Sequence, residues 1–300
     1  AMSLQTEEAG RIKTGLMEKL QGVEKQLAQA KTNGWLRAKQ EIELTADLKV
    51  LDEANPLEID QFLRQQDNPL YIPHIVKPVS ARKILPGDAF ISGHCSTELS
   101  LNAAPGEFEP ASFVLKALAA MPSTLAQAGD LTSPSGHSIP AANVDIKLVK
   151  CWYQAGTAWY DSEQLRTQRV MVPELLLNDE TLIKVDAQQQ KNYLRLAFPD
   201  AERYDWISDP KEASQGPYKI LEIRNFPVKD APRLCPVNIP AGVNQQFWVT
   251  VKIPEGAVAG LYTGTIALSS QGKPVGSFTL KVNVYPFVLD EPYYTSSIYY

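Results

Sequence analysis

Apolar residues near the start of the chain recur with a helical period. Leu16, Leu20, Val23 and Leu27 are spaced four, three and four apart, which sets them on one face of a helix. "KTNG" then supplies a basic last turn and Gly34, a helix stop. Trp35, Ala38 and Ile42 begin a second stripe that runs to about Leu51 and ends at Asn55-Pro56. Two amphipathic helices joined by a short loop predict an antiparallel hairpin that must bury its stripe against the rest of the chain or a partner. From Asn55 to about Ser80 the pattern predicts a connector: "LEIDQFLRQQ" has room for a short helix, and Pro69, Pro73 and Pro78 impose extended chain after it.

Beyond Ala81 the period falls from 3.6 to 2. "TELSLN", "SFVLKAL", "NVDIKLVKCWY", "QFWVTVKI", "LYTGTIAL" and "GSFTLKVNVYPF" alternate and are rich in β-branched and aromatic residues. Turn clusters such as "APGEFEP", "TSPSGHSIP" and "IPEGAVAG" separate them. "PELLLNDETLIKVD" reads as strand, turn at Asn178-Asp179, strand, while "AQQQKNYLRLAFPDAERYDWISDPKEASQGPY" reads as a polar stretch with long loops. Without helical segments between the strands, a parallel βαβ sheet is disfavoured. The expected fold is mainly β, an antiparallel β-sandwich preceded by an α-helical hairpin. In "FWVTVKI", Val249, Val251 and Ile253 are expected on one face and Thr250 and Lys252 on the other.

Composition narrows the function classes. A hydrophobic fraction of 44% and a charged fraction of 21% belong to a globular protein rather than a disordered one. A net charge of −5 argues against a duplex-binding surface. No apolar run reaches the roughly 20 residues that span a bilayer, and no secretory leader is legible; "AMSLQTEE" reads as a cloning remnant joined to a mature sequence. Cys95, Cys151 and Cys235 lie far apart with no C-x-x-C spacing, so they read as buried small hydrophobes, with one disulfide among them left open.

The segments "NAAPGEFEPASFVLKAL", "GDLTSPSGHSIPAANVDIKLVKCW", "VPELLLNDETL" and "FWVTVKIPEGAVAGLYTGTIAL", ending in "LKVNVYPFVL", follow one familiar order. Over roughly residues 85–289 the chain resembles the N-terminal β-sandwich of glycoside hydrolase family 123-like proteins. The resemblance implies a secreted or periplasmic protein in which the sandwich precedes a catalytic (β/α)8 barrel. It divides the chain into a hairpin and proline-rich connector at 1–80, a sandwich at 81–289, and the first strand of a barrel at 290–300. The family's catalytic carboxylates lie in the barrel, so none maps onto this sequence, and the chain itself is expected to be catalytically silent.

The residues agree with that expectation. Glycoside hydrolysis needs two carboxyl groups about 5–10 Å apart across a sugar; the acid pairs Glu107/Glu109 and Asp179/Glu180 read as loop hydrogen-bonding groups. His94-Cys95 are neighbours on extended chain and point to opposite faces, which opposes a nucleophilic dyad. Three scattered histidines, His74, His94 and His137, offer no zinc spacing. No metal or cofactor is expected. Aromatic residues give the binding signal: "CWYQAGTAWY" gathers Trp152, Tyr153, Trp159 and Tyr160, and Tyr204 and Trp206 follow in the polar stretch. Sugar C–H faces pack on such rings, although Trp and Tyr also close sandwich ends. The sequence thus predicts an accessory region that supports a barrel in the same polypeptide and contacts glycan. The alternatives are an independent carbohydrate-binding module and a helical-hairpin interaction module.

Overall fold

A computed structural model describes residues 2–33, 44, 48, 56–80, 82–155, 169–206 and 227–290. Helix α1 runs Met2–Asn33 and α2 runs Pro56–Gln65. The strands that follow are β1 (Tyr71–Val76), β2 (Glu98–Ala103), β3 (Phe108–Ala117), β4 (Met121–Ala128), β5 (Leu131–Thr132) and β6 (Ser138–Ile139). Next come β7 (Val144–Ala155), β8 (Arg169–Leu177), β9 (Ile183–Asp186), β10 (Lys191–Ala197) and β11 (Glu202–Trp206). The last four are β12 (Val237–Ile239), β13 (Asn244–Lys252), β14 (Gly260–Ser270) and β15 (Lys273–Val284). The protein is mainly β, as its period predicts.

Sheet A has the order β1-β3-β13-β7-β8, and sheet B runs β12-β4-β14-β15-β2 with the small β5 and β6 attached. Residues two apart on each strand meet between the sheets. Phe113, Leu115, Val249, Val251, Ile146 and Leu148 come from sheet A; Leu99, Ile266, Phe278, Leu280 and Val282 come from sheet B. Val249, Val251 and Ile253 are buried together while Lys252 is exposed, as alternation requires. Phe113 stands at the centre, its ring 5.1 Å from Phe247 and 4.3 Å from Phe278. The "PEGAVAG" segment carries the chain from β13 in sheet A to β14 in sheet B. A true hairpin joins β14 to β15 through Gln271 (φ 51°) and Gly272 (φ 73°), the left-handed pair that matches strand twist. Tyr71 of β1 reaches sheet B, where a Cβ on Gly276 would run into the Tyr71 hydroxyl.

One expectation is sharpened and two need correction. The connector holds the short helix and the extended chain expected of it, and its extended part, Tyr71–Val76, pairs along β3 as the edge strand of sheet A. Pro73 is tolerated because Ile75, two residues on, turns its N–H away from β3 to His94 O at 2.8 Å, so the proline lacks only an outward donor. The "long loops" after Asp186 include the β10–β11 hairpin, whose alternation is masked by charge on both faces. One pairing is parallel, between β15 and β2. It arises because the chain reaches β2 from the α2–β1 layer rather than by a hairpin.

Sheet A is covered on its second face as well. Ile59 of α2 packs with Ile72 and Leu118, joined by Phe62, Leu63, Phe90 and Cys95. Ile91 packs with Val76 and Val114. Every residue from Ala111 to Leu118 is therefore buried. On α1, Val23 is buried but Leu20 and Leu27 stay largely exposed, so the predicted stripe is only partly covered. The second arm of the predicted hairpin, apart from helical Leu44 and Leu48, lies outside the described residues.

Candidate functional site

The outer half of β7 extends past the start of β13, so its backbone there needs another partner. Asn192 of β10, fully buried, supplies it. Its Oδ1 accepts from Tyr153 N–H at 2.9 Å and its Nδ2 donates to Tyr153 O, so one amide side chain stands in for a strand residue. The three-stranded sheet β11-β10-β9 is thereby held against sheet A.

Four of the six predicted aromatics are among the described residues, Trp152 and Tyr153 on β7 and Tyr204 and Trp206 on the face of β11 opposite the Asn192 side chain, and each has a local partner. Trp152 Nε1 donates to Glu174 Oε2 at 2.7 Å, and the indole packs partly against the main core. Gln154 reaches the same carboxylate. Tyr153 is fixed through its backbone by Asn192. Tyr204 donates its hydroxyl to Thr181 O at 2.6 Å while its ring stays 41% exposed. Trp206 lies opposite Tyr193, with the Lys191 ammonium 4.3 Å from its ring centroid. Trp159 and Tyr160 lie outside the described residues.

Beside Tyr204 runs a charged cluster. Arg195 Nη2 donates to Asp179 Oδ2 at 2.9 Å and its Nη1 to Thr181 Oγ1 at 2.6 Å. Partial burial works against ionisation of the Asp179 carboxyl, yet hydrogen bonds from Thr181 and Arg195 hold it below the usual range. Lys150 Nζ lies 3.9 Å from Glu180, and burial pulls its pKa down against the pull of that carboxylate. Asp230 accepts from the backbone of Asn178 at 2.8 Å and of Asp179 at 3.0 Å, which pins the 227–235 segment to the end of β8. Asp179 and Glu180 are thus engaged as a turn and an ion pair rather than as facing acids across a cleft. Glu107 is likewise engaged, accepting from Ala104 N–H at 2.6 Å. Among the described residues no cluster of three or more His, Cys, Asp and Glu could hold a metal ion.

The cysteines are free and half-buried rather than fully buried. Burial, with the nearby Glu58 carboxylate, pushes the Cys95 thiol up to about 12, and burial pushes Cys151 to about 11, so neither is a ready nucleophile. His94 hydrogen-bonds in the Glu58 direction, at 3.4 Å, and Glu58 also accepts from Cys95 N–H at 2.9 Å. Sequence reasoning missed Asn192, Glu174 and Arg195. The alternation in "KNYLRLA" was a signal for Asn192 and Arg195, and Glu174 had none.

A second surface lies beyond β15. Tyr285 and Phe287 stack with centroids 5.2 Å apart at 11°, and Phe287, Val288 and Leu289 are all more than half exposed. Asn283, two residues before Tyr285, donates to Asn102 Oδ1 at 3.0 Å on the same sheet face.

No family model and no curated protein matches this chain. Among solved structures it is similar to a family 123 glycoside hydrolase from Clostridium perfringens, at 14% identity and a TM-score of 0.38 over 64% of this chain. The chain spans 23% of that hydrolase's length. A second likeness is to AvmM, which catalyses macrocyclization in alchivemycin A biosynthesis, at 11% identity and a TM-score of 0.27, covering 77% of this chain and 94% of that one. A third is to the seventh ScaB type I cohesin from Pseudobacteroides cellulosolvens, at 9% identity and a TM-score of 0.17, covering 66% and 96%. Scores this low carry no argument about function.

Proposed function

We propose that this chain is the accessory β-sandwich region of a secreted glycoside hydrolase-like protein, supporting a catalytic barrel in the same polypeptide and contacting glycan through aromatic side chains. The observation that carries the reading is the apolar strip of Tyr285, Phe287, Val288 and Leu289 at the exit of β15. Contiguous exposed apolar side chains fit a surface made to be covered, and their place at the end of the last strand suits a following domain. The order of the sandwich segments supports the same reading.

The test is to express the encoding gene with whatever reading frame follows Tyr300. The extended protein is expected to hydrolyse chromogenic glycosides and to protect the 285–289 amides from exchange relative to the 300-residue chain. An extended protein with neither property removes the accessory reading. The 300-residue chain itself should leave the same glycosides intact.

A carbohydrate-binding module is the second reading, favoured by Tyr204. Its hydroxyl is anchored while much of the ring faces water, so a flat apolar surface is already fixed in place for a sugar face. Affinity electrophoresis through polysaccharide gels tests it. Tyr204→Ala and Trp206→Ala should lose retention by about tenfold with little change in melting, since an exposed ring contributes on the order of 1–3 kcal/mol to a contact and little to the core. Absence of wild-type retention on every polysaccharide removes this reading.

A further inference from the structure

His74 sits at the joint between sheet A and its cover. By the two-residue period it shares a face with Ile72 and Val76. That face is the one on which Ile72 meets Ile59 of α2, and Val76 meets Ile91. The imidazole is 1% exposed, and neither ring nitrogen has a hydrogen-bond partner. A neutral imidazole carries one donor and one acceptor, so both are buried unmet. His74 lies opposite Val114 on β3, and Lys116, two residues on, brings an ammonium to the same face at 3% exposure.

The charged groups around the joint are all turned to other work. Lys116 Nζ donates to Asp88 O at 3.1 Å and Asn244 Oδ1 at 3.4 Å. Asp88 accepts from Leu85 N–H at 2.7 Å. From α2, Glu58 serves Cys95 N–H and His94, and Asp60 pairs with Arg64 at 2.6 Å. The 77–97 segment adds Lys77, Arg82 and Lys83. None of these carboxylates bonds the imidazole. A proton arriving on His74 would meet a like charge and, among the described residues, no carboxylate bonded to it.

We propose that His74 makes the cover formed by α2 and the 82–97 segment releasable by acid: protonation of the buried imidazole beside the Lys116 ammonium lifts the cover off β1 and β3 and bares the outer face of sheet A, while the sheets themselves stay paired. The packing allows a local opening. The apolar contacts of α2 and the 82–97 segment with sheet A form two small clusters separate from the main core. Their polar ties to the sheet are the backbone pair between Ile75 and His94, at 2.8 and 3.0 Å, the Lys116 ammonium on Asp88 O, and Asn244 bonded to Leu85, Pro86 and Asp88. Such a unit opens at a lower free energy than the whole domain.

The direction with pH follows from linkage. Burial, then the Lys116 charge, lowers the His74 pKa from 6.5 to about 3 in the closed state. An opened His74 returns to the ordinary value, so the open state takes up the proton first. Closure is fully stable above pH 6.5 and weakens as pH falls toward 3.

Hydrogen exchange of the 300-residue chain, corrected for intrinsic rates and measured where reclosing outpaces exchange, tests the proposal. Between pH 7 and pH 5, protection of the α2 amides and of the Ile75 and His94 N–H groups should fall by about 25-fold, the factor set by those two proton affinities. Amides of β13, β14 and β15 should keep their protection. His74→Phe should abolish the fall, and His74→Leu serves if the phenyl ring is too large. Lys116→Met, which keeps the imidazole and removes the repelling charge, should leave the fall between pH 7 and pH 5 nearly intact and make it level off at a higher pH than in wild type. An equal fall across all strands, no fall in wild type, or an undiminished fall in the His74 variants overturns the proposal.

Discussion

Sheets A and B have similar strands and opposite surroundings. β3 of sheet A is buried on both faces, between the core and the α2 cover, and its run from Ala111 to Leu118 has no exposed position. β14 of sheet B has one buried and one wet face, with Tyr262, Ile266 and Leu268 inward and Thr263, Thr265 and Ala267 in water. The second covering layer brings polar side chains into a dry place. Lys116, Asn244 and Ser112 on that face all need partners and find them in the 85–88 segment and the backbone, whereas His74 finds none. On sheet B the same kinds of residue meet water. Covering a sheet twice gains apolar burial and also creates polar obligations.

Substitutions can break or sharpen this contrast. The largest effect is expected where both sheets meet. Phe113→Ala empties a site between Phe247 and Phe278 and should cost about 3–5 kcal/mol in denaturant unfolding; a loss under about 1 kcal/mol would mean that the sheets do not interlock there. Next, Gly276→Ala forces a methyl against the Tyr71 hydroxyl and should destabilise by about 1–3 kcal/mol. Tyr71→Phe in the same chain should recover part of that loss, and a cycle with no coupling would deny the contact. The direct comparison is Val114→Ala against Thr265→Ala. The first removes two methyls from the covered face of sheet A and should cost about 1–2 kcal/mol. The second lies on the wet face of sheet B and should stay within about 0.5 kcal/mol. Equal costs would show that the cover does not seal β3. The smallest effect belongs to Lys281→Ala on sheet B. Its 2.6 Å pair with Glu98 is solvent-exposed, so the loss should be under about 1 kcal/mol and shrink with added salt.

The same contrast explains what was legible in the sequence. Strands with one wet face announce themselves, and "LYTGTIAL" and "GSFTLKVNV" became β14 and β15 close to where alternation placed them. The extended chain at β1 was legible but its pairing was hidden, because a proline in a strand removes a ladder donor and only the outward direction of the Pro73 nitrogen makes that residue harmless. The β10–β11 hairpin was hidden because Lys191, Arg195, Arg203 and Asp205 give it a polar look, while buried Asn192, Leu196 and the core-facing Leu194 set its place in the fold. For the site, aromatic composition named residues on two elements, Trp152 and Tyr153 on β7 and Tyr204 and Trp206 on the face of β11 turned away from Asn192. Their partners were not legible. Glu174, Asn192 and Arg195 are ordinary polar residues until tertiary structure sets them opposite an indole, a backbone amide and a turn carboxylate.

The parallel pairing of β2 with β15 has a consequence in time. Lys281 and Glu98, cross-linked on that pair, are 183 positions apart in the chain. On a ribosome adding about 5–20 residues per second, β2 emerges roughly 10–40 s before the strand it must pair with. Its Leu99 and Leu101, which end in the core, wait uncovered for that interval, and sheet B closes only when the last strand is released. Nascent chains halted before Lys273 are therefore expected to be cut by protease at β2, and chains carried through the end of β15 to resist. Early protection of β2 in the shorter chains would show that it finds a temporary partner first.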